Sequence, residues 1–248
     1  MSASASDVRW LAVADVAELE RSATQRIIDA AERTIKRRGE FVMVLAGGNT
    51  PRGVYRLLRG QNVNWSHWNV HFGDERCLPA NDAERNSRMA AIEWLDHVPI
   101  PKDHVQPIPA ELGASAAALA YAATLRDVGE FDLVLLGLGD DGHTASLFPN
   151  HEWGTAPDAP AALAVFNAPK PPPERVSLSS ARLSRSREVL FLVAGNAKRE
   201  AVKLWRAGEN IPARAIRPRT GVDVLLESKL LSETDKDFVP YAHPSRAM

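Results

Sequence analysis

The sequence predicts an α/β fold: a mainly parallel, open sheet with helices on both faces. Three observations predict it. Continuous apolar runs, such as FVMVL at Phe41–Leu45 and LVLL at Leu133–Leu136, alternate with stretches of helical periodicity. Runs of this kind suit strands that are buried on both faces. Polar, glycine-containing segments (GGNT, GDER and GLGDDGH) stand at three predicted strand ends. In open α/β sheets, ligands bind at the carboxyl ends of the strands. Finally, no repeat or low-complexity linker divides the 248 residues, of which 45% are hydrophobic. One domain spanning 1–248 is therefore expected.

The elements follow in order. Residues 14–38 read as a helix, because Val16, Leu19, Ala23, Ile27, Ile28, Ala31 and Ile35 recur at spacings of three and four. Gly39 is a C-terminal stop. Phe41–Leu45 is a strand ending in Gly47-Gly48-Asn49-Thr50, and Pro51 suits the first turn of a helix reaching Leu58. Residues 69–72 form a strand that runs into Gly73-Asp74-Glu75-Arg76. A helix over 83–95 precedes a Pro-rich connection over 97–109, and the Ala-rich 114–126 is helical. The strand at 131–136 leads into GLGDDGH. Residues 150–160 and 169–173 are loops, and 176–179 and 189–193 are strands. A helix over 197–207 and a strand at 222–226 complete the pattern.

Bulk properties exclude several classes. The chain carries 30 basic and 31 acidic residues, so a nucleic-acid partner is not expected. Cys77 is the single cysteine, which excludes an internal disulfide framework and fits a reducing compartment. The N-terminus lacks the pattern of a signal peptide, and no apolar run approaches the roughly 18 residues of a membrane span. A cytoplasmic protein without membrane partners is expected.

The segment GLGDDGHTASLFP, from Gly137 to Pro149, poses the main chemical question. Its first six residues satisfy G-x-G-x-x-G. A dinucleotide cradle needs a long helix to follow, but Pro149 comes seven residues after Gly142. Asp140 and Asp141 are poor neighbours for a pyrophosphate, and no acid ends a second strand near 161–163. The glycines instead allow a tight turn that holds Asp141 beside His143. A carboxylate beside an imidazole orients it and favours its protonated form. Such a pair suits general acid–base work near neutral pH.

GLGDDGHTASLFP closely resembles the signature of the 6-phosphogluconolactonase family. Other segments agree in order and spacing: LAGGNTP from Leu45, FGDERCLP from Phe72, Asn86-Ser87, RVSLS from Arg175, and AGNAK ending at Lys198. Asn49 stands where such proteins often have Ser. The resemblance runs from about Phe41 to about Trp205. It implies a Rossmann-like fold of the sugar-phosphate isomerase type. It also implies hydrolysis of 6-phospho-D-glucono-1,5-lactone in the oxidative pentose phosphate pathway, with this sugar phosphate lactone as the small-molecule partner and no cofactor.

The resemblance also places His143 as the base that deprotonates the attacking water. Asp141 either orients His143 or bonds backbone N–H groups in the turn. Gly47, Gly48, Asn49 and Thr50 resemble a phosphate cradle, where glycines and a helix N-terminus offer N–H groups to the anion. Without the resemblance they read equally well as a strand–helix turn capped by Asn or Thr. Arg76 is a candidate for bidentate phosphate contact, with Asp74 and Glu75 as carboxylates that could pair with it and support it. Arg175 and Lys198 are further phosphate candidates. Lys198 falls in the first turn of its predicted helix, where the dipole disfavours a cation and an anionic ligand would compensate.

His67, His71 and Asp74 raise the thought of a metal. A strand alternates its side chains, however, and no further nitrogen or sulfur ligand stands nearby beyond Cys77, so no metal is expected. Trp10, Trp94 and Trp205 read as packing residues. The main rival function is a sugar-phosphate deaminase or isomerase of the same architecture. Those relatives carry an asparagine and a glutamate after D-G-H, where this chain has Ser146-Leu147-Phe148-Pro149. A non-catalytic sugar-phosphate sensor would lack the acid–base group that His143 supplies.

Overall fold

The structure is a computed structural model that describes residues 8–232 and 237–241. Its centre is an eight-stranded sheet. In chain order the strands are β1 (Val8–Val13), β2 (Phe41–Leu45), β3 (Trp68–Phe72), β5 (Val105–Gln106), β6 (Phe131–Gly137), β9 (Ser186–Val193), β10 (Val222–Glu227) and β11 (Phe238–Pro240). Across the sheet they lie in the order β11-β1-β10-β9-β6-β2-β3-β5, and every neighbouring pair is parallel. The continuous apolar runs are the reason. All five residues of β2 and the first six of β6 are buried. Each large apolar side chain among them contributes about 1.5–3 kcal/mol on leaving water, while the buried Asp132 of β6 is held by Arg38 and the Val42 N–H.

The helices are α1 (Val16–Arg38), α2 (Asn49–Arg59), α3 (Asn86–Glu93), α4 (Ala114–Thr124), α5 (Ser180–Ser184) and α6 (Arg199–Arg206). Helix α1 packs on β1, β2, β6 and β10 and against α2. Its predicted periodicity is realised in the buried Leu19, Ala23, Ile27, Ile28 and Ala31. Asp15 caps it by accepting from Glu18 N at 2.8 Å, and Glu18 accepts from Ala14 N at 2.7 Å. Gly39 ends it at φ +84°, a left-handed conformation that glycine adopts freely.

The chain reverses its direction of sheet growth once in the middle. Strands β2, β3 and β5 step outward, and β6 then returns to the other side of β2 before β9 and β10 extend the opposite edge. A crevice at such a reversal, between the carboxyl ends of β2 and β6, is where an open α/β sheet receives a ligand. GGNT follows β2 and GLGDDGH ends β6.

Some expectations need correction. Residues 8–13 form β1, although the N-terminal segment showed no strand in the sequence reading. The strand expected at 176–179 is β8 (Arg175–Leu178), and it lies outside the parallel sheet. It joins β4 (Asp74–Arg76) and β7 (Ala162–Val165) in a small antiparallel sheet, order β4-β8-β7. Gly73 hinges the two sheets: its N–H donates to Leu45 O at 2.9 Å, and its carbonyl accepts from Leu178 N at 2.8 Å. A Cβ there would meet Leu45 O at 3.3 Å. Helix α3 is shorter than the expected 83–95, with turns on either side.

One cluster of buried apolar residues extends from Trp10 to Leu231. Trp10, Trp94 and Trp205 are all buried in it, as their packing role requires. Trp10 and Phe191 meet Trp205 edge-on at 5.6 and 4.7 Å. Among the described residues, no helix is long and apolar enough to cross a membrane.

Candidate active site

A cleft of about 330 Å³ opens at the carboxyl ends of β2, β6 and β9, beside β4. Gly47, Gly48, Asn49, Thr50, Asp74, Arg76, His143, Arg175 and Lys198 all line it. Of the residues singled out from sequence, Asp141 and Glu75 stand just behind this lining.

The turn after β6 builds the His143 environment. Asp141 Oδ1 accepts from His143 N at 3.0 Å and from His143 Nδ1 at 2.5 Å. The same carboxylate oxygen thus bonds both the turn backbone and the ring. An ionised carboxylate can only accept, so Nδ1 carries a proton, and in the neutral imidazole Nε2 then keeps its lone pair. Gly139 makes this fit possible, since a Cβ there would lie 2.0 Å from His143 Nδ1. The imidazole packs on the Phe148 ring at 4.7 Å. Burial pushes its pKa below the ordinary value, and the opposing pull of Asp141 does not overcome this. Asp141 does favour the protonated form, as the sequence reading expects, but burial outweighs it and the net shift is downward. Burial also raises the Asp141 carboxyl, but the His143 backbone N–H and ring outweigh it, and the net shift is downward. Both shifts favour an ionised carboxylate beside a neutral imidazole near neutral pH.

The GGNT turn opens α2. Gly48 is its N-cap, at φ +103°, and no side chain caps the helix. The alternative reading with Asn49 or Thr50 as N-cap is therefore not realised, because both lie inside α2, which starts two residues before Pro51. No acidic residue occupies the first turn, so the positive end of the helix faces the cleft uncompensated. Gly47 lets Asn86 approach, since a Cβ would meet Asn86 Oδ1 at 2.0 Å.

Arg76 and Arg175 are direct cross-strand partners on β4 and β8. Arg76 makes no ion pair with Asp74 or Glu75, contrary to that sequence reading. Its Nη1 donates to Glu84 O, and its buried Nε has no partner. The two carboxylates brace the surroundings instead. Asp74 accepts from Ser146 Oγ at 2.6 Å and from Asn86 Nδ2 at 3.0 Å. Glu75 accepts from the backbone N–H groups of Arg76, Asn86 and Ser87 and faces Arg85 at 3.4 Å. Burial pulls the Arg175 pKa below its ordinary value, with the Arg76 charge adding to this and Asp74 opposing it.

Lys198 sits in a 3-10 turn at the N-cap of α6 rather than inside the first helical turn. It makes no ion pair among the described residues. Burial lowers its pKa, and Asp140 opposes that. His67 and His71 do not join Asp74. His67 binds Gly39 O at 2.6 Å, whereas His71 is buried beside Phe131. The ligand-type atoms that do converge belong to Asp140, Asp141 and His143, within 4.8 Å of one another. Lys170 already pairs with Asp140, and His143 with Asp141.

Sequence reasoning missed three neighbours: Asn86, Ser146 and Phe148. All three stood in quoted motifs, but only the fold shows what they touch.

With this geometry in view, the comparisons with known proteins are decisive. The family described as glucosamine-6-phosphate isomerases/6-phosphogluconolactonase matches residues 14–225. The chain belongs to this family. It is 38% identical over 209 residues to a 6-phosphogluconolactonase of Mycobacterium leprae, covering 77% of this chain and 84% of that one. It is 35% identical over 245 residues to a 6-phosphogluconolactonase of Streptomyces coelicolor, covering 90% and 94%. The crystal structure of a 6-phosphogluconolactonase from Thermotoga maritima superposes with a TM-score of 0.83 at 26% identity, covering 89% of this chain and all (100%) of that one. A monomeric glucosamine-6-phosphate deaminase, 22% identical, shares the fold with a TM-score of 0.76. Membership accounts for the sugar-phosphate isomerase architecture expected from the motifs, and the hydrolase class matches the lactonase relatives.

Proposed function

We propose that the protein hydrolyses 6-phospho-D-glucono-1,5-lactone to 6-phospho-D-gluconate, a step of the oxidative pentose phosphate pathway, in the cytoplasm. One observation carries the reading. A half-buried arginine, Arg76, and a buried one, Arg175, face each other in the cleft that holds an Asp-bound histidine. Like charges directly opposite on a strand pair are unfavourable, and a phosphate between them removes the penalty. The GGNT turn, the open start of α2 and Lys198 add further donors.

With the 6-phosphate anchored, the lactone carbonyl is presented to His143. Nε2 takes a proton from water as the water oxygen bonds to C1. The tetrahedral intermediate then expels the ring oxygen, which receives that proton from His143. Asp141 stabilises the transient imidazolium and holds the ring orientation. A lactone needs no covalent nucleophile, and none is assigned. The continuous core from Trp10 to Leu231 supports reading the chain as one lactonase domain.

A deaminase or isomerase would need another acid–base group beside the imidazole, where Phe148 packs. A sensor would have no use for a base with a free Nε2. The test is a coupled assay on freshly generated lactone, corrected for spontaneous hydrolysis. A rate above background supports the reading. No added rate, together with turnover of an amino-sugar phosphate, replaces it with the deaminase reading.

A further inference from the structure

The mechanism above leaves Asp140 and Lys170 without a task. Lys170 belongs to the segment 168–173, which is tied down more closely than its loop sequence suggests. Arg175 Nε donates to Pro172 O at 3.2 Å, and Nη2 donates to Lys170 O at 3.0 Å and Pro171 O at 3.2 Å. Ala168 N donates to Pro173 O at 2.9 Å. Three consecutive carbonyls thus hang on one guanidinium. The strap carries Lys170 Nζ onto Asp140 Oδ1. Asp140 in turn lies within 4.8 Å of the ligand-type atoms of Asp141 and His143. An exposed Lys–Asp pair contributes little stability by itself, so stabilisation is a poor reason for so specific a support.

We propose that Lys170 is a positioning residue. Seated on Asp140 by the Arg175-clamped strap, it braces the 139–143 turn that presents the His143 ring and sets its charge against the carboxylates beside that ring. The charges around that imidazole set the sign. Asp140 and Asp141 stand on its own turn, Asp74 on β4, Lys170 on the strap, and Arg76 (β4), Arg175 (β8) and Lys198 (beyond β9) in the same cleft. The three carboxylates favour imidazolium, and Lys170 opposes them, partly by neutralising Asp140. The same arginine lines the phosphate cleft and anchors the strap, so phosphate site and base share one support.

The inference rests on the lactonase reading only in its kinetic arm. The direct test follows the His143 imidazole by NMR titration, with His143→Gln for assignment. Lys170→Met should raise its midpoint by about half a pH unit or more, and Lys170→Arg should leave it near the wild-type value. Asp140→Asn removes the negative charge and should move it the other way. Lys170→Gln replaces the Met variant if that one folds poorly. In the kinetic arm, the acid limb of kcat/KM should follow the NMR midpoint in each variant. Unchanged midpoints in the folded Lys170→Met and Lys170→Gln variants overturn the proposal. So do equal, same-direction shifts in the Lys170→Met and Asp140→Asn variants, which would mean simple loosening of the turn. Absence of wild-type lactone turnover would count against the proposed activity alone, because the titrations stand without it.

Discussion

Arg76 and Arg175 stand directly opposite each other on β4 and β8, and both line the cleft that contains His143. Arg175 spends Nε and Nη2 on strap carbonyls, and Arg76 leaves a buried Nε unpartnered. The two side chains therefore divide the work: Arg175 is a braced donor, and Arg76 is the one with unspent hydrogen-bonding capacity.

Arg76→Ala should lower kcat/KM for the phosphorylated lactone by about 10–150-fold, the worth of one charge-assisted hydrogen bond. Turnover of unphosphorylated glucono-1,5-lactone, already slow, should barely change. Arg76→Lys should recover only part, since lysine keeps the charge without the bidentate fork. Equal losses on the two lactones would remove Arg76 from the phosphate site.

His143→Ala or His143→Gln should reduce kcat by roughly 10²–10⁴-fold, with a smaller effect on substrate binding. Asp141→Asn removes the carboxylate that raises the imidazole pKa against burial. Its acid limb should therefore move to lower pH while kcat falls. A folded His143→Ala protein with near-normal turnover would rule out the base assignment, and an acid limb moving upward in Asp141→Asn would rule out the pairing argument.

Gly139→Ala places a methyl group 2.0 Å from His143 Nδ1 and 2.6 Å from Asp141 Oδ1. The pair must open, and a displacement of about 1 Å at a reacting group costs on the order of 10²-fold. The loss should appear in kcat with the circular dichroism spectrum unchanged. Full activity in this variant would show that the Asp141–His143 contact is dispensable.

His71 sets an acid limit on stability. It is buried beside Phe131 with its Nδ1 unpartnered, and burial followed by the Arg182 charge pushes its pKa down to about 4, from 6.5. Below pH 6.5 the unfolded chain binds a proton that the folded chain refuses. Stability should therefore fall between pH 6.5 and about 4 and level off below, by at most about 3 kcal/mol from this residue. Urea midpoints across that range, for wild type and His71→Leu, measure it. The variant should show a shallower slope, and parallel curves would remove His71 as the cause.

Exhaustive dialysis against a chelator should leave lactone turnover intact, because Asp140 and Asp141 each have a cationic or N–H partner. Loss of activity, restored by one specific metal, would make the Asp140, Asp141 and His143 cluster a metal site.

Local sequence determined the parallel sheet, because strands buried on both faces must be largely apolar, as Phe41–Leu45 and Leu133–Leu136 are. It also determined where the chemistry stands. The turns after β2 and β6 need glycine for close approach, and Asp141 reaches His143 two residues away without help from the rest of the chain. Partners distant in sequence were another matter. Arg76 and Arg175 are 99 positions apart, and only the pairing of β4 with β8 sets them face to face. Asp74 meets Ser146 across |i−j| = 72, and Lys170 meets Asp140 across |i−j| = 30. The neutral state of His143 likewise depended on tertiary structure. The motif shows the carboxylate that favours charge, but the burial that opposes it comes from the folded surroundings of the ring, Phe148 among them, and a charge withdrawn from water loses hydration that one neighbouring carboxylate does not replace.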